Sequence, residues 1–170
     1  MPKGPVLAAL SADFGMRVAD IGAGIGYFSL PLAVAVGESG AIFAIDPSPA
    51  AREELRNRVK TSQLNQITIL EGDAASTHLE DASMDRVLWH TMYHEVPDRD
   101  QAFDEMMRVL KPGGQWVLVD WQKIETPFGP PLEHRFSVGD VVLEVTRRGF
   151  REVRQFEPGP VTWGLVVEKP

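Results

Sequence analysis

The sequence predicts an α/β fold: a doubly wound, mostly parallel sheet of seven strands, with helices on both faces and the last strand antiparallel. Strand-like and helix-like patterns alternate along most of the chain, which is how a parallel sheet built from crossover units reads. A glycine-rich turn, Gly22-Ala23-Gly24-Ile25-Gly26, joins the first strand to a helix. The last two strand-like segments are linked only by Glu157-Pro158-Gly159-Pro160. A parallel crossover needs a dozen or more residues, so this pair is expected to be an antiparallel hairpin.

Each element has its own signal. Residues 17–21, Arg-Val-Ala-Asp-Ile, form a short, mostly apolar run with an acid next to its end and read as the first strand. Residues 26–36 read as a helix, with Pro31 in its first turn, where proline is tolerated. Residues 41–46 are a second apolar strand, ending on an acid. Pro47 and Ser48 open a helix over 48–62, with a charged face of Arg52, Glu53, Glu54, Arg56 and Arg58. Strands are expected at 67–70, 86–89 and 116–120. The helix over 99–110 stops at Lys111-Pro112-Gly113-Gly114. A proline-rich loop, 125–135, leads into a helix over 137–148, ended by Gly149. Residues 150–156 and 163–168 are the final strands. No internal repeat and no interior linker is visible, so one domain over 1–170 is expected. Its architecture is Rossmann-like.

Composition narrows the function. The chain is 44% hydrophobic and 24% charged, with a formal net charge of −7. That charge disfavours a broad electrostatic grip on nucleic acid or on an anionic membrane. No apolar run is long enough to span a bilayer. There are no cysteines, which removes disulfides, thiolate metal sites and cysteine nucleophiles. No signal-peptide pattern opens the chain, and a cytoplasmic protein is expected.

The chemistry is concentrated at strand ends. The glycines at 22, 24 and 26 do not fit the dinucleotide fingerprint Gly-x-Gly-x-x-Gly, which would place its third glycine at 27, where Tyr27 stands. A nicotinamide oxidoreductase is therefore disfavoured. Asp46 ends the second strand, where doubly wound folds hold ribose hydroxyls, although an acid there also caps helices. Gly72-Asp73-Ala74 follows the third strand; alone it is a common turn sequence.

Taken together, Asp20, Asp46, Asp73 and the glycine turn resemble the class I S-adenosylmethionine-dependent methyltransferases. The resemblance covers roughly residues 16–168. Val18-Ala-Asp-Ile-Gly-Ala-Gly-Ile-Gly is similar to that family's first motif, Ala44-Ile-Asp-Pro-Ser to its second and Glu71-Gly-Asp-Ala to its third. Asp85-Arg-Val-Leu-Trp-His resembles the fourth, and Arg108-Val-Leu-Lys-Pro-Gly-Gly the turn before strand five. Within the class, Asp120-Trp121-Gln122-Lys123 and the segment from Gly129 to Arg135 resemble the small ubiquinone/menaquinone-type and arsenite-type enzymes. The arsenite branch binds arsenic through cysteines, which this chain lacks.

The resemblance implies S-adenosylmethionine as cofactor and a methyl transfer to a small-molecule acceptor, with a homodimer compatible. Asp20 would hold the cofactor's amino group, directly or through water, and Gly22, Ala23, Gly24 and Gly26 would let it pass close to the backbone. Asp46, followed by Pro47, would bind the ribose. Asp73, beside Ala74, would accept from the adenine amine. Trp89 and His90 would line the methyl-donor end. Tyr27 would either lie over the cofactor or pack under the first helix. The alternative is a cofactor-binding accessory subunit that needs a partner chain.

Methyl transfer asks mainly for positioning, with reacting atoms about 3–3.5 Å apart. A base is needed only where the acceptor must lose a proton. The candidates are His90, His94 and His134, with Glu95 near by, while Arg135 could anchor an anion or pair with Glu125 or Glu133. His90 and His94 have i,i+4 spacing but no third ligand, so no metal is expected.

Overall fold

The structure, a computed structural model, describes residues 2–170. It contains a seven-stranded sheet in the order β3-β2-β1-β4-β5-β7-β6. The strands are β1 (Arg17–Ile21), β2 (Ala41–Ile45), β3 (Ile67–Leu70), β4 (Met84–His90), β5 (Leu110–Trp121), β6 (Arg151–Gly159) and β7 (Thr162–Glu168). Pairs β3-β2, β2-β1, β1-β4 and β4-β5 are parallel. The hairpin expected from the short link forms: β7 runs antiparallel to both β5 and β6 and lies between them.

The helices are α1 (Gly4–Leu10), α2 (Ser29–Val36), α3 (Pro49–Ser62), α4 (Arg99–Val109) and α5 (Val138–Arg147). Strand alternation sends successive side chains to opposite faces. On one face Ala19, Val87, Trp116, Leu118 and Leu165 meet Phe103 and Met106 of α4 and Val141 and Val145 of α5. On the other, Val18, Ile42, Leu88, Val117 and Val166 meet α1, α2 and Leu55 of α3. Three helices have side-chain caps: Ser48 for α3, Asp98 for α4 and Ser137 for α5.

The differences from expectation are local. Helix α1 was read only as an apolar patch; it is seven residues long, too short for a periodic signal, and opens with a proline in its first turn. Residues 22–28 are successive turns, so α2 begins at Ser29 rather than at 26. Strand β5 starts at Leu110, before the Pro-Gly-Gly stop, with a register shift against β4 that absorbs the glycines. Strand β6 runs on to Gly159 past an irregularity after Phe156. Arg52, read as part of a charged face, is buried.

The sheet reverses direction of growth between β1 and β4, since β2 and β3 lie on one side and β5 on the other. The carboxyl ends of strands at such a reversal splay apart and leave a crevice, where ligands of open α/β sheets sit.

Candidate active site

The glycine turn is held against the end of β2. Gly22 and Ala23 donate their N–H groups to the Ile45 carbonyl, at 2.8 and 3.0 Å. Asp46 Oδ2 accepts from Gly24 N at 2.8 Å, and its Oδ1 accepts from Ser48 N at 2.8 Å. One nearly buried carboxylate thus joins the turn after β1 to the start of α3. The turn needs positive φ at Gly22, Gly24 and Gly26, which costs a residue with a Cβ about 1–2 kcal/mol.

Asp20 lies beneath this turn. Strand alternation points it toward α2, where its Oδ2 accepts from Ser29 Oγ at 2.6 Å. It is 3% exposed, and burial raises its pKa from 3.8 to about 6 despite the Ser29 bonds.

Asp73 sits in the loop after β3. Its Oδ1 accepts from Ala75 N and Ser76 N, at 2.8 and 3.0 Å. Thr77 ties the loop to α4 by donating through N and Oγ1 to Glu105 Oε1. Arg108 in turn donates to Glu105 and to the Leu79 carbonyl. This network holds the Glu105 carboxyl down to about pKa 2 even though burial acts against it.

After β4 the backbone turns sharply. Thr91 has φ 53°, an uncommon conformation for a β-branched residue and a mark of local strain. Its N–H donates to the Val119 carbonyl at 2.7 Å, which holds the bend. The Met92 side chain comes to rest over Gly22, with Sδ 3.1 Å from where a Cβ at Gly22 would stand. His94 is then fixed by Asp120 at the end of β5. The carboxylate lies 2.8 and 3.0 Å from His94 Nδ1 and accepts from His94 N at 3.1 Å. That hydrogen bond raises the His94 pKa above its ordinary value. Nε2, the other ring nitrogen, is 3.6 Å from Glu95 Oε1.

These segments enclose a cavity of about 650 Å³ at the sheet reversal. Its wall includes Gly22, Asp46, Pro47, Asp73, Ala74 and His90 of the residues expected from sequence. It also includes Thr91, Met92, Glu95, Asp98 and Gln101, which sequence reading gave no role beyond Glu95. Asp20, Ala23, Gly24 and Gly26 are off the wall and shape the turn behind it, and His94 is off the wall as well, behind Glu95.

Other expectations are corrected. Trp89 is fully buried, packed against Trp116 and Phe103 on the face opposite His90, so it does not line the cavity. Tyr27 is half exposed, with Lys3 Nζ 4.1 Å from its ring centre, and also lies off the wall. His90 lines the cavity, but burial lowers its pKa to about 4, which makes it a weak base. Its Nε2 is buried without a partner. His134 stands exposed on the turn Leu132–His134, away from the cavity. Among the described residues Arg135 meets no carboxylate: it is buried and donates to the Pro130, Ile124 and Phe128 carbonyls and to Thr126 Oγ1, pinning the proline-rich loop. Among the described residues no cluster suited to a metal ion is found.

The burial of Arg52 was missed, yet one signal was present: it stands three residues before Leu55, on the buried stripe of α3. Asp120 carried the same signal as Asp20, an aspartate one residue from the end of an apolar strand.

Comparison with known proteins agrees with this geometry. A family described as a methyltransferase domain matches residues 19–118. An uncharacterised protein of a Streptomyces fradiae transposon is 36% identical over 150 residues, 86% of this chain and 43% of that protein. A demethylmenaquinone methyltransferase of Staphylococcus aureus is 34% identical over 122 residues, 72% of this chain and 50% of that protein. The chain thus spans about half the length of the curated relatives it matches. A crystal structure of an S-adenosylmethionine-dependent methyltransferase from Aquifex aeolicus superposes with a TM-score of 0.89 at 29% identity, covering 96% of this chain and 87% of that one. On the matched family, the sheet order and the cavity at its reversal, the chain belongs to the class I S-adenosylmethionine-dependent methyltransferase domain family.

Proposed function

We propose that this chain moves a methyl group from S-adenosylmethionine to a small-molecule acceptor, and that His94, held by Asp120, takes the acceptor's proton where the acceptor is a hydroxyl. The observation that carries the reading is one cavity wall that presents Asp46, Asp73 and His90 around a side-chain-free Gly22.

The residues fit the cofactor. Each Asp46 oxygen accepts one N–H and keeps a further lone pair, so the carboxylate can still accept from ribose hydroxyls. Asp73 spends Oδ1 on its own turn and leaves Oδ2 for an exocyclic amine. The buried, unpartnered Nε2 of His90 supports a polar ligand atom beside it. A cavity of about 650 Å³ is in the usual range for a ligand of this size.

When bound, this cofactor supplies a methyl group already activated by a positive sulfur. The protein's own work is then to orient, to keep water out and to manage one proton. His90, neutral at physiological pH, brings no competing positive charge to the donor end. Asp120 holds Nδ1 of His94, which leaves Nε2 as the nitrogen that can take a proton. Glu95, 3.6 Å from that nitrogen and on the cavity wall, links it to the acceptor space.

The relatives named demethylmenaquinone methyltransferase make that quinone precursor the first acceptor to assay. A cytoplasmic location is part of the proposal, supported by the lack of cysteine. Among the described residues no helix is long and apolar enough to cross a membrane.

The test is a labelled-methyl assay with demethylmenaquinone and with a bacterial metabolite extract, alongside calorimetry with S-adenosylhomocysteine. Label is expected in the small-molecule fraction. Failure of S-adenosylhomocysteine to bind would overturn the cofactor reading; label appearing only with a second chain present would favour an accessory role. His94→Gln should lower transfer to a hydroxyl acceptor by about 10²-fold or more and leave S-adenosylhomocysteine affinity unaltered.

A further inference from the structure

We propose that Arg52 is a positioning residue for the cofactor: it holds the peptide planes that aim Asp46 and couples them to the loop that carries Asp73. The inference rests on the cofactor reading above and goes beyond it, because Arg52 is outside the cavity wall.

The geometry is unusual for an arginine in the first turn of a helix. Its side chain is 8% exposed, whereas Glu53, Glu54, Arg56 and Arg58 of the same helix pair with one another in solvent. Burying a guanidinium is costly unless its donors are satisfied. Here Nη1 donates to the carbonyls of both Asp46 and Pro47, each at 2.8 Å, and Nη2 donates to Glu71 Oε2 at 2.7 Å.

Those two carbonyls belong to consecutive peptide groups. A peptide group is planar, so fixing its oxygen fixes the opposite N–H. The N–H opposite the Pro47 carbonyl is that of Ser48, which donates to Asp46 Oδ1. Arg52 therefore sets, from behind, the donor that orients the Asp46 carboxylate. Glu71 is two residues before Asp73, so the same guanidinium ties the loop after β3 to the turn after β2. The ribose side and the adenine side of the cavity then share one clamp. Lysine cannot replace it, since one ammonium lacks the fork that reaches two carbonyls and a carboxylate together.

The experiment is calorimetry with S-adenosylhomocysteine, below any unfolding transition, for the wild type, Arg52→Gln, Arg52→Lys, Glu71→Gln and the double variant Arg52→Gln/Glu71→Gln. Arg52→Gln is expected to weaken binding by about tenfold or more, the scale of one charge-assisted hydrogen bond. Arg52→Lys should recover part of the loss. Glu71→Gln, whose side chain is largely exposed and whose fold is not at risk, should weaken binding by about two- to threefold. The double variant should bind no more weakly than Arg52→Gln alone, because both changes act through one clamp. A core variant away from the cavity, Phe150→Leu, should lose melting temperature while keeping its affinity. Unaltered affinity in folded Arg52→Gln, or additive losses in the double variant, would overturn the proposal. If Arg52→Gln does not fold, unaltered affinity in Glu71→Gln overturns it instead. Absence of binding by the wild type would overturn the cofactor reading itself.

Discussion

Asp20 makes the stability of this protein depend on pH in a direction opposite to that of most carboxylates. Burial penalises its ionised form, and the nearby Asp46 charge acts the same way, while the bonds from Ser29 offset only part of this. Its pKa rises from the ordinary 3.8 to about 6. Between those values the folded chain binds more protons than the unfolded chain, so unfolding stability falls as pH rises. The penalty is absent below the unfolded value and complete above the folded one. At 1.36 kcal/mol per pH unit it reaches about 3 kcal/mol. Asp20→Asn removes the titration and leaves one fewer good acceptor for Ser29, a cost that does not vary with pH. Part of the penalty is already present at pH 4, so the stability of Asp20→Asn relative to wild type should improve by about 2.4 kcal/mol between pH 4 and pH 8. Urea unfolding of both proteins at the two pH values measures this difference directly. A difference that is the same at both pH values would refute the assignment of a buried, ionising Asp20.

Three other outcomes are expected. Gly26→Ala should lower stability by about 2–4 kcal/mol, since φ is 85° and a Cβ there would run into Leu55 Cδ1; urea unfolding reads it. The His94 imidazole should titrate above 6.5 by NMR and return toward that value in Asp120→Asn; the pair's contribution is present below 6.5 and lost as pH rises through the raised value. Arg135→Met should free the loop it pins, so that trypsin cuts after Lys123 about tenfold faster or more, as local opening costs less.

Much of the site was legible because the fold places it in the backbone. Asp46 and Asp73 each follow an apolar run, and a chain leaving a parallel strand emerges at the sheet's carboxyl edge whatever its side chains do. Trp89 was misplaced because it lies one residue from the wall residue His90, and strand alternation turns it to the other side. Arg52 was read as part of a charged helix face, and Arg135 as an anion anchor or an ion-pair partner of Glu125 or Glu133. Their partners are mainly backbone carbonyls, which every residue has, so no residue type announces the match.

The sequence by itself determined the local elements: where apolar runs end, where glycine permits a left-handed turn, and which link is too short for a crossover. These depend on local sterics and on period, and neighbours in the chain suffice to decide them. The tertiary structure alone decided which polar groups meet. His94 and Asp120 are separated by helix α4 and nearly all of β5, and they meet because β4 and β5 pair in parallel and end side by side. Whether a histidine becomes a raised-pKa partner of a carboxylate, as His94 does, or a desolvated neutral ring, as His90 does, depends on burial and on a carboxylate within hydrogen-bond reach. Both are properties of the folded interior, which no stretch of the chain contains on its own.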